Sequence, residues 1–358
     1  MCIQGSEFLR LPARKLLFDY LGAGSMSMQS DQSVSPSRIE AHPQAPRVLS
    51  IFDDPNDPAA AESIASALES NHIVGFPRCP FPLPNPADLQ ILRTELPTRL
   101  KLKNVSYHGA DGRLTGLEAN DPARARTAAV LGEHLEAVCA YLRQVAPHLS
   151  AGTVLSKCSF RPIQERGRKL KPHASNELVH IDAGAYGATN GDRILRFFVN
   201  VNPSEDRVWA TKGDIQEVLE RHGVRSGLLD NDGRCRLRIR KNPADHAFTL
   251  TVRALSRLNP QAQSLDSSPY DRAMRRLHNY MKDSETFKAD PRGYAEIRFP
   301  PGSAWMVFTD GVSHASLSGQ FALVTTILIR HTALRHPQFA PYHLLSGGIK
   351  SCGTLPPR

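Results

Sequence analysis

Two short polar motifs, each enclosed by segments that predict β-strands, restrict the fold of this chain more than any other feature. The first is Val-His-Ile-Asp at 179–182, followed by a glycine-containing loop, and the second is segment 308–314, which ends in a histidine. Apolar runs bounded by turn residues predict strands around these motifs, at 194–201, 304–308 and 320–329. Antiparallel strands connected in this way can close into a jelly roll that holds a metal inside one mouth.

The polar residues of the two motifs have the chemistry of metal ligands. His180 and Asp182 stand two residues apart, so on a strand their side chains project to the same side. Together with His314 they supply two imidazoles and one carboxylate, the facial triad that holds Fe(II) and leaves coordination positions open. A His-x-Asp triplet alone is a weak signal in a chain with 14 histidines, and His180 by itself is equally explained as a hydrogen-bonded strand histidine.

The surroundings of these motifs resemble a known family. Segments 176–202 and 301–330 are similar to the Fe(II)- and 2-oxoglutarate-dependent dioxygenases, and from Val48 to Leu345 the chain resembles the Kdo hydroxylases of Gram-negative bacteria. The resemblance implies an α+β fold, a double-stranded β-helix (cupin-like jelly roll) core with packed N-terminal and inserted helices. It implies hydroxylation of carbon 3 of the outer Kdo sugar of Kdo2-lipid A, with Fe(II), 2-oxoglutarate as co-substrate and O2. His180, Asp182 and His314 would be both metal ligands and catalytic residues.

The resemblance also implies a cation that binds the distal carboxylate of 2-oxoglutarate. Many relatives place it on the strand after the second histidine, where this chain has the uncharged residues 324–326. Arg196, a single charge in an otherwise apolar strand after the first motif, is the predicted anchor, and a structural ion pair is the alternative. Arg161 is the next candidate, and Arg330, at the end of its strand, is less suited.

The net charge of +9 favours an anionic partner, although solubility alone also explains such a charge. We expect a Kdo2-lipid A substrate and peripheral contact with an anionic membrane surface, helped by the basic segment 166–171 just before the metal motif. No helix-turn-helix, zinc finger or aromatic-basic repeat is visible, so no nucleic-acid partner is expected.

No apolar run approaches the ~20 residues needed to span a bilayer, and no secretory signal is visible. The expected location is the cytoplasm, with peripheral attachment to the cytoplasmic face of the inner membrane.

The chain is predicted to contain one catalytic domain. Residues 1–47 are expected to be a weakly ordered extension with a short amphipathic helix at 12–21, residues 48–345 the dioxygenase domain, and 346–358 a tail. The alternation of arginine with apolar residues at 234–240 predicts an exposed strand. Helices are predicted at 58–70, 87–96, 123–145, 212–222 and 267–282.

Two other functions remain open from the sequence. The same chemistry could act on a protein or nucleic-acid group, or the chain could be a cupin-like binding protein without turnover. Consumption of 2-oxoglutarate distinguishes an enzyme from a binding protein, and mass analysis of lipopolysaccharide distinguishes the substrates.

Overall fold

A computed structural model of the chain describes residues 38–101, 103–184, 188–258 and 266–347. The predicted helix at 12–21 and residues 348–358 of the predicted tail lie outside the described residues. The strands are, in chain order, β1 (Glu40–His42), β2 (Leu49–Ile51), β3 (Ile73–Phe76), β4 (Val105–His108), β5 (Leu114–Thr115), β6 (Thr153–Arg161), β7 (Arg193–Asn200), β8 (Arg207–Thr211), β9 (Ala295–Phe299), β10 (Ala304–Phe308), β11 (Ala315–Ser318) and β12 (Ala322–Ile329).

The helices fall into an N-terminal group and a group inserted between β8 and β9, followed by one C-terminal helix. They are α1 (Ala61–Glu69), α2 (Pro86–Thr94), α3 (Leu96–Arg99), α4 (Arg124–Val145), α5 (Pro147–Ala151), α6 (Ile215–His222), α7 (Pro243–Leu258), α8 (Pro269–Asp283), α9 (Glu285–Ala289) and α10 (Pro341–Gly347). Short 3-10 helices occupy Pro58–Ala60, Pro172–Ala174, His331–Ala333 and Pro337–Phe339.

The strands form two sheets. The larger has eight strands in the order β2-β3-β10-β7-β12-β6-β4-β5, and the smaller has four in the order β1-β9-β8-β11. Every pairing is antiparallel except that of β2 with β3. The predicted strands at 194–201, 304–308 and 320–329 are confirmed as β7, β10 and β12, which are neighbours in the larger sheet.

Aromatic side chains join the two sheets face to face. Trp305 of β10 and Phe198 of β7 stack with their centroids 5.0 Å apart, and Phe299 of the smaller sheet stacks on Trp305 at 3.8 Å. Trp209 of β8 meets both Phe198 and Trp305 edge-on. All four are buried, so the space between the sheets is a packed apolar core.

The opposite face of the larger sheet is covered by N-terminal helices. Phe197 of β7 packs against Tyr141 of α4 with centroids 6.1 Å apart, and Leu68 of α1 and Leu135 of α4 are buried in the same cluster. Because both faces of β7 are covered, its residues between the two end positions are apolar except Arg196, which is the one partly exposed residue of the strand.

The inserted helices form a third apolar cluster that adjoins the first polar motif. Leu219 of α6, Leu277 and Met281 of α8 and Phe287 of α9 are buried together, and Ile181 packs among them. Ile181 separates His180 from Asp182, so this apolar contact directs the two polar side chains to the other side of the chain.

Three predictions made from local pattern were wrong in part. Residues 40–42 of the predicted extension form β1, paired with β9 through Ala41 and Ile297, because backbone pairing with a distant strand leaves no local signature. Segment 234–240 is not a strand: only Cys235 bridges to Leu229, and the apolar side chains pack on the inserted helices instead. The helix predicted from Lys212 begins at Ile215, because Asp214 caps it by accepting the Glu217 amide at 2.9 Å.

Candidate metal centre

The two motif histidines face each other across an isolated antiparallel bridge. His180 N–H donates to the His314 carbonyl at 3.0 Å, and His314 N–H donates to the His180 carbonyl at 2.8 Å. The Asp182 amide donates to the Thr309 carbonyl at 2.9 Å, so both motifs are paired along their length. One ligand atom from each of His180, Asp182 and His314 lies within 4.8 Å of the others, which is a spacing that one metal ion can span.

Backbone carbonyls determine which imidazole nitrogen is available. His180 Nδ1 lies 2.7 Å from the Leu178 carbonyl, and His314 Nδ1 lies 3.0 Å from the Val312 carbonyl. A carbonyl only accepts, so each Nδ1 donates and each Nε2 keeps a free lone pair. Burial lowers the pKa of both imidazoles, and their mutual repulsion lowers that of His180 further. Both histidines are therefore neutral at physiological pH, which is the metal-binding form.

The two carboxylate oxygens of Asp182 have different neighbours, an imidazole on one side and an arginine on the other. Oδ1 lies 3.8 Å from His180 Nε2, whereas Oδ2 accepts from the Nε and the terminal nitrogen of Arg196, each at 2.9 Å. Burial by itself would raise the pKa of this carboxyl, but Arg196 and the two imidazoles outweigh it and hold that pKa well below its usual range. Asp182 is thus an ionised carboxylate, and Arg196 orients it by binding one of its two oxygens.

A buried ion pair holds the turn that carries His314. Arg193 Nε donates to Asp310 Oδ2 at 2.7 Å, and Asp310 Oδ1 accepts the Ile194 amide at 3.0 Å. A second Arg193 nitrogen donates to Asn71 Oδ1 at 2.7 Å, and the guanidinium lies 4.0 Å from the Phe308 ring centroid. This network ties the segment between β10 and β11 to the first residue of β7, which places the second histidine opposite the first.

Arg161 lies near this centre on the face of the sheet that it shares with Arg196. The register pairs Arg161 with Ala322 and Arg196 with Thr326, and these two partners are four apart on β12. Burial, followed by repulsion from Arg196, lowers the pKa of Arg161 to about 10. Its Nε is buried and has no hydrogen-bond partner among the described residues.

The negative charge beside Arg161 is shared among three guanidinium groups. Glu165 lies 3.9 Å from Arg161, 3.4 Å from Arg168 and 3.4 Å from Arg207. Asn176 also donates to the Glu165 carboxylate, at 3.2 Å. One carboxylate cannot neutralise three buried or half-buried cations, so this region favours an additional anion.

Two side chains beside the candidate metal ligands were not predicted from the sequence. His278 of α8 donates through Nδ1 to the Ile181 carbonyl at 2.8 Å, and its ring lies 5.1 Å from that of His180. Trp209 stacks on His314 with centroids 5.2 Å apart. Neither residue belongs to a motif, so no local pattern could have revealed them.

Asn200 has a structural role, and Arg330 lies outside the centre. Asn200 donates to the Glu205 and Phe299 carbonyls and accepts the Asn202 amide, so it is satisfied by the turn after β7. Arg330 is exposed beyond the end of β12.

Two neutral imidazoles and an ionised carboxylate on one side, with no fourth protein ligand among the described residues, define the class of non-haem iron oxygenases.

Comparison with known proteins places the chain within a family. The sequence profile of 3-deoxy-D-manno-oct-2-ulosonic acid (Kdo) hydroxylases matches residues 53–349, and the chain belongs to this family. The predicted resemblance is therefore confirmed. No curated protein sequence matches the chain.

Solved structures of the Kdo hydroxylase KdoO, a non-haem Fe(II) alphaketoglutarate-dependent dioxygenase, are similar to this chain. The apo form is 28% identical with a TM-score of 0.68, covering 84% of this chain and 95% of that one. The complex with alphaketoglutarate (2-oxoglutarate) and Fe(III) is 29% identical with the same TM-score and coverage. The cobalt(II) complex is 28% identical with a TM-score of 0.69, covering 86% and 99%.

Proposed function

We propose that this chain is an Fe(II)- and 2-oxoglutarate-dependent dioxygenase that hydroxylates carbon 3 of the outer Kdo sugar of Kdo2-lipid A. The observation that carries the proposal is the convergence of two Nε2 lone pairs and the Asp182 carboxylate on one side of a buried centre. Membership of the Kdo hydroxylase family supports the sugar, and the KdoO complexes support iron and 2-oxoglutarate as the cofactor and co-substrate.

The proposed core is a double-stranded β-helix with packed N-terminal and inserted helices. Support comes from the two facing antiparallel sheets and from the position of both histidines at a bridge between strands. We place the catalytic domain at 48–345, extended at its start by β1, with the remaining N-terminal residues and 346–358 as flanking segments.

Each protein group in the centre has a distinct task. His180 and His314 would hold the iron through Nε2, and Asp182 through the oxygen that Arg196 leaves free. When bound, iron with 2-oxoglutarate and O2 supplies the oxidising chemistry that converts a C–H bond into an alcohol. Arg196 keeps the Asp182 carboxylate ionised and oriented, and the surrounding apolar core restricts water.

The cofactor-binding arginines have different surroundings, which suggests different roles. Arg196 was the predicted anchor for 2-oxoglutarate, yet its Nε and one terminal nitrogen are both occupied by Asp182. Arg161 has a buried Nε without a partner among the described residues and faces a region with excess positive charge. We therefore assign the distal carboxylate of 2-oxoglutarate to Arg161 and the positioning of Asp182 to Arg196.

The basic segment before the metal motif suits an acidic sugar. Arg166, Lys169 and Lys171 are exposed, whereas Arg168 is half-buried against Glu165. Kdo carries a carboxylate and lipid A carries phosphates, so exposed cations at this position would attract both groups. This charge favours the glycolipid over an uncharged acceptor on a protein.

The proposed location is the cytoplasm, with peripheral attachment to the cytoplasmic face of the inner membrane. Within the ranges that the structure describes, no helix is both long enough and apolar enough to cross a bilayer. The substrate would then be reached from the membrane surface.

Mass analysis of lipopolysaccharide from cells with and without the chain tests the function. We expect one added oxygen on the outer Kdo only where the wild-type chain is present, and none with Asp182→Ala. Measured succinate formation without this added oxygen would indicate another acceptor. Absence of 2-oxoglutarate consumption by the iron-loaded protein would indicate a binding protein instead.

A further inference from the structure

Strands β6, β4 and β5, at one edge of the larger sheet, direct apolar and polar side chains to opposite faces. Cys158 and Phe160 of β6 are buried in the apolar cluster under the N-terminal helices, as are Val105 of β4 and Leu114 of β5. Successive side chains of a strand project to opposite faces, so their neighbours in sequence lie on the other face. Five polar or charged residues lie there, namely Lys157, Ser159, Ser106, His108 and Thr115.

Cross-strand pairing makes these five residues one polar strip. Lys157 lies opposite His108, Ser159 lies opposite Ser106, and Ser106 lies opposite Thr115 on its other side. Directly opposed residues of neighbouring strands project to the same face. The two serine hydroxyls are 2.8 Å apart, and His108 Nε2 lies 3.4 Å from Thr115 Oγ1. The polar strip therefore runs across three strands as one connected surface.

Strand β12 connects the polar strip to the metal centre. Thr326 lies opposite Arg196 of β7 on one side and opposite Lys157 of β6 on the other. Arg196 binds the Asp182 carboxylate, so the strip and the centre lie on the same face of the sheet. Two strand spacings separate the backbones of Arg196 and Lys157, which is about 10 Å. A substrate of several rings held at the metal can therefore reach the strip.

The apolar core between the two sheets does not extend over the polar strip. That cluster has members from β7, β10 and β12 but, within the part of the chain that the structure describes, none from β4, β5 or β6. Ser106 is buried, and the other four residues of the strip are partly exposed. A solvated sheet face would be more exposed than this. A half-buried polar surface beside a buried centre is where groups that orient a ligand are expected.

The side chains of the polar strip suit a sugar that carries a carboxylate. Lys157 supplies one positive charge and up to three donors. Desolvation, followed by repulsion from Lys157, lowers the pKa of His108, so its ring is neutral at pH 7 and can bind hydroxyl groups. The Ser159 and Thr115 hydroxyls can both donate and accept. One cation among neutral hydrogen-bonding groups matches one carboxylate among several hydroxyls.

We propose that the polar strip binds the sugar-acid part of the substrate, with Lys157 paired to its carboxylate and His108 bonded to its hydroxyls. Lys157 is then a specificity-determining residue that takes no part in holding the metal. The inference deepens the proposed function by naming the residues that recognise the sugar, and it rests on that function for the identity of the substrate.

Equilibrium binding in the absence of O2 tests the strip without turnover. The Co(II)-loaded protein with 2-oxoglutarate is titrated with Kdo2-lipid A in a zwitterionic detergent, and with the same glycolipid after methyl esterification of its Kdo carboxylates. The wild type should bind the acid about ten- to a hundredfold more tightly than the ester, because the ester lacks the charge-assisted pair.

Substitutions in the strip should change this preference in different ways. Lys157→Gln should bind the acid about ten- to a hundredfold more weakly and the ester like the wild type, whereas Lys157→Arg should keep most of the preference. His108→Leu should weaken both forms equally, by about two- to tenfold, because it removes a neutral hydrogen bond.

A matched control removes a lysine from another surface. Lys288→Gln, at an exposed residue of α9 that pairs with Glu285 at 2.8 Å, should bind both forms like the wild type. The affinities for Co(II) and for 2-oxoglutarate should equal those of the wild type in every variant, which shows that the metal centre is intact.

The possible results separate the polar strip from the activity. A wild-type preference for the acid in Lys157→Gln would overturn the proposal, and so would equal weakening of acid and ester in that variant. Loss of 2-oxoglutarate affinity in Lys157→Gln would also overturn it and would make Lys157 the anchor of the co-substrate. Absence of hydroxylation when O2 is supplied to the iron-loaded wild type would refute the proposed function alone, since a preference that depends on Lys157 would still define a sugar-acid site.

Discussion

At the scale of single residues, the centre is defined by which atom of each side chain is already engaged. Carbonyls occupy Nδ1 of both His180 and His314, and Arg196 occupies one oxygen of Asp182. The atoms that remain free are those that converge on one point. The ligand types could be chosen from the sequence, but the atoms could only be chosen from their hydrogen bonds.

Removal of any one proposed ligand should abolish metal-dependent activity. We expect His180→Ala, Asp182→Ala and His314→Ala each to lower turnover by more than about a hundredfold, because a ligand matters more than the residues that support it. Titration with Co(II) measures metal binding independently of turnover. His173→Ala, at an exposed histidine paired with Asp283, is the matched control and should retain both properties. Full activity in any ligand variant would remove that residue from the centre.

The two arginines should respond differently to substitution. Arg161→Ala should raise the KM for 2-oxoglutarate by about one to two decades with metal affinity unchanged, since a charge-assisted pair contributes about 1.5–3 kcal/mol. Arg196→Ala should instead weaken metal affinity by about 10–100-fold, because it orients the ligand Asp182.

Steady-state kinetics in 2-oxoglutarate and Co(II) titration of both variants decide between these roles. The reverse pattern, with Arg196 controlling the 2-oxoglutarate requirement, would restore Arg196 as the anchor. Arg330→Ala, at an exposed residue beyond β12, is the control and should change neither quantity.

At the scale of elements, the inserted helices position the first motif, and their own caps determine where they begin. Asp214 caps α6 next to β8 and lies opposite Val312, close to the second histidine, in a bridge formed by the Ile215 amide with the Gly311 carbonyl and the Ser313 amide with the Gly213 carbonyl. Burial raises the pKa of Asp214 to about 6, with Glu217 and Glu220 adding to the rise and backbone hydrogen bonds opposing it. A structural cap near the centre is therefore sensitive to pH.

Replacement of Asp214 by Asn should stabilise the fold above pH 6. The folded state holds the Asp214 proton more tightly than the unfolded state, in which the pKa is about 3.9. The stabilising contribution of protonation is thus fully present below that value and is lost as pH rises through about 6. Asn keeps the cap without the charge, so the variant should gain up to about 3 kcal/mol relative to the wild type between pH 4 and pH 8.

Urea unfolding of both proteins at several pH values measures this difference. The difference in unfolding free energy between variant and wild type should grow as pH rises and level off above about pH 7. A constant difference for Asp214→Asn would contradict a raised pKa at this cap.

At the scale of the whole molecule, the net charge of +9 is distributed over surfaces with different neighbours. The exposed cations of 166–171 lie next to the metal motif in sequence, and the half-buried Arg168 among them pairs with Glu165, which also accepts a hydrogen bond from Asn176. Arg234, Arg236, Arg238 and Arg240 form a second set of exposed cations. The charge of segment 166–171, next to the metal motif in sequence, would act on the anionic substrate.

Neutralisation of the first surface should slow turnover on Kdo2-lipid A more than it affects the metal centre. We expect Arg166→Gln/Lys169→Gln/Lys171→Gln to weaken binding to anionic vesicles, to raise the KM for Kdo2-lipid A and to reduce the salt sensitivity of turnover. Exposed charges are screened beyond about 10 Å at 0.1 M salt, so the effect should be largest at low ionic strength. Decay of 2-oxoglutarate without substrate should change little, because these side chains do not contact the proposed ligands.

Substrate kinetics at several salt concentrations, with vesicle binding measured in parallel, test this prediction. Arg78→Gln/Arg113→Gln/Arg143→Gln serves as the control for net charge. Turnover and vesicle binding that equal those of the wild type at low salt would show that segment 166–171 contributes nothing to recognition of the glycolipid.

The sequence by itself determined the elements in which local pattern and local chemistry agree. The apolar strands β7, β10 and β12 and the long helix α4 could be predicted, because burial on both faces of a strand and helical spacing of apolar residues are visible in the local sequence. Likewise the alternation at 234–240 correctly indicated exposed arginines, although it wrongly indicated a strand.

Only the tertiary structure decided which distant groups meet. The pairing of β1 with β9, the bridge between His180 and His314 and the contact of Arg196 with Asp182 join residues from separate parts of the chain. These contacts depend on strand register and on the packing of Ile181 among the inserted helices, and neither leaves a local pattern. The sequence therefore determined which side chains could bind a metal, and the fold determined which of their atoms remain free to do so.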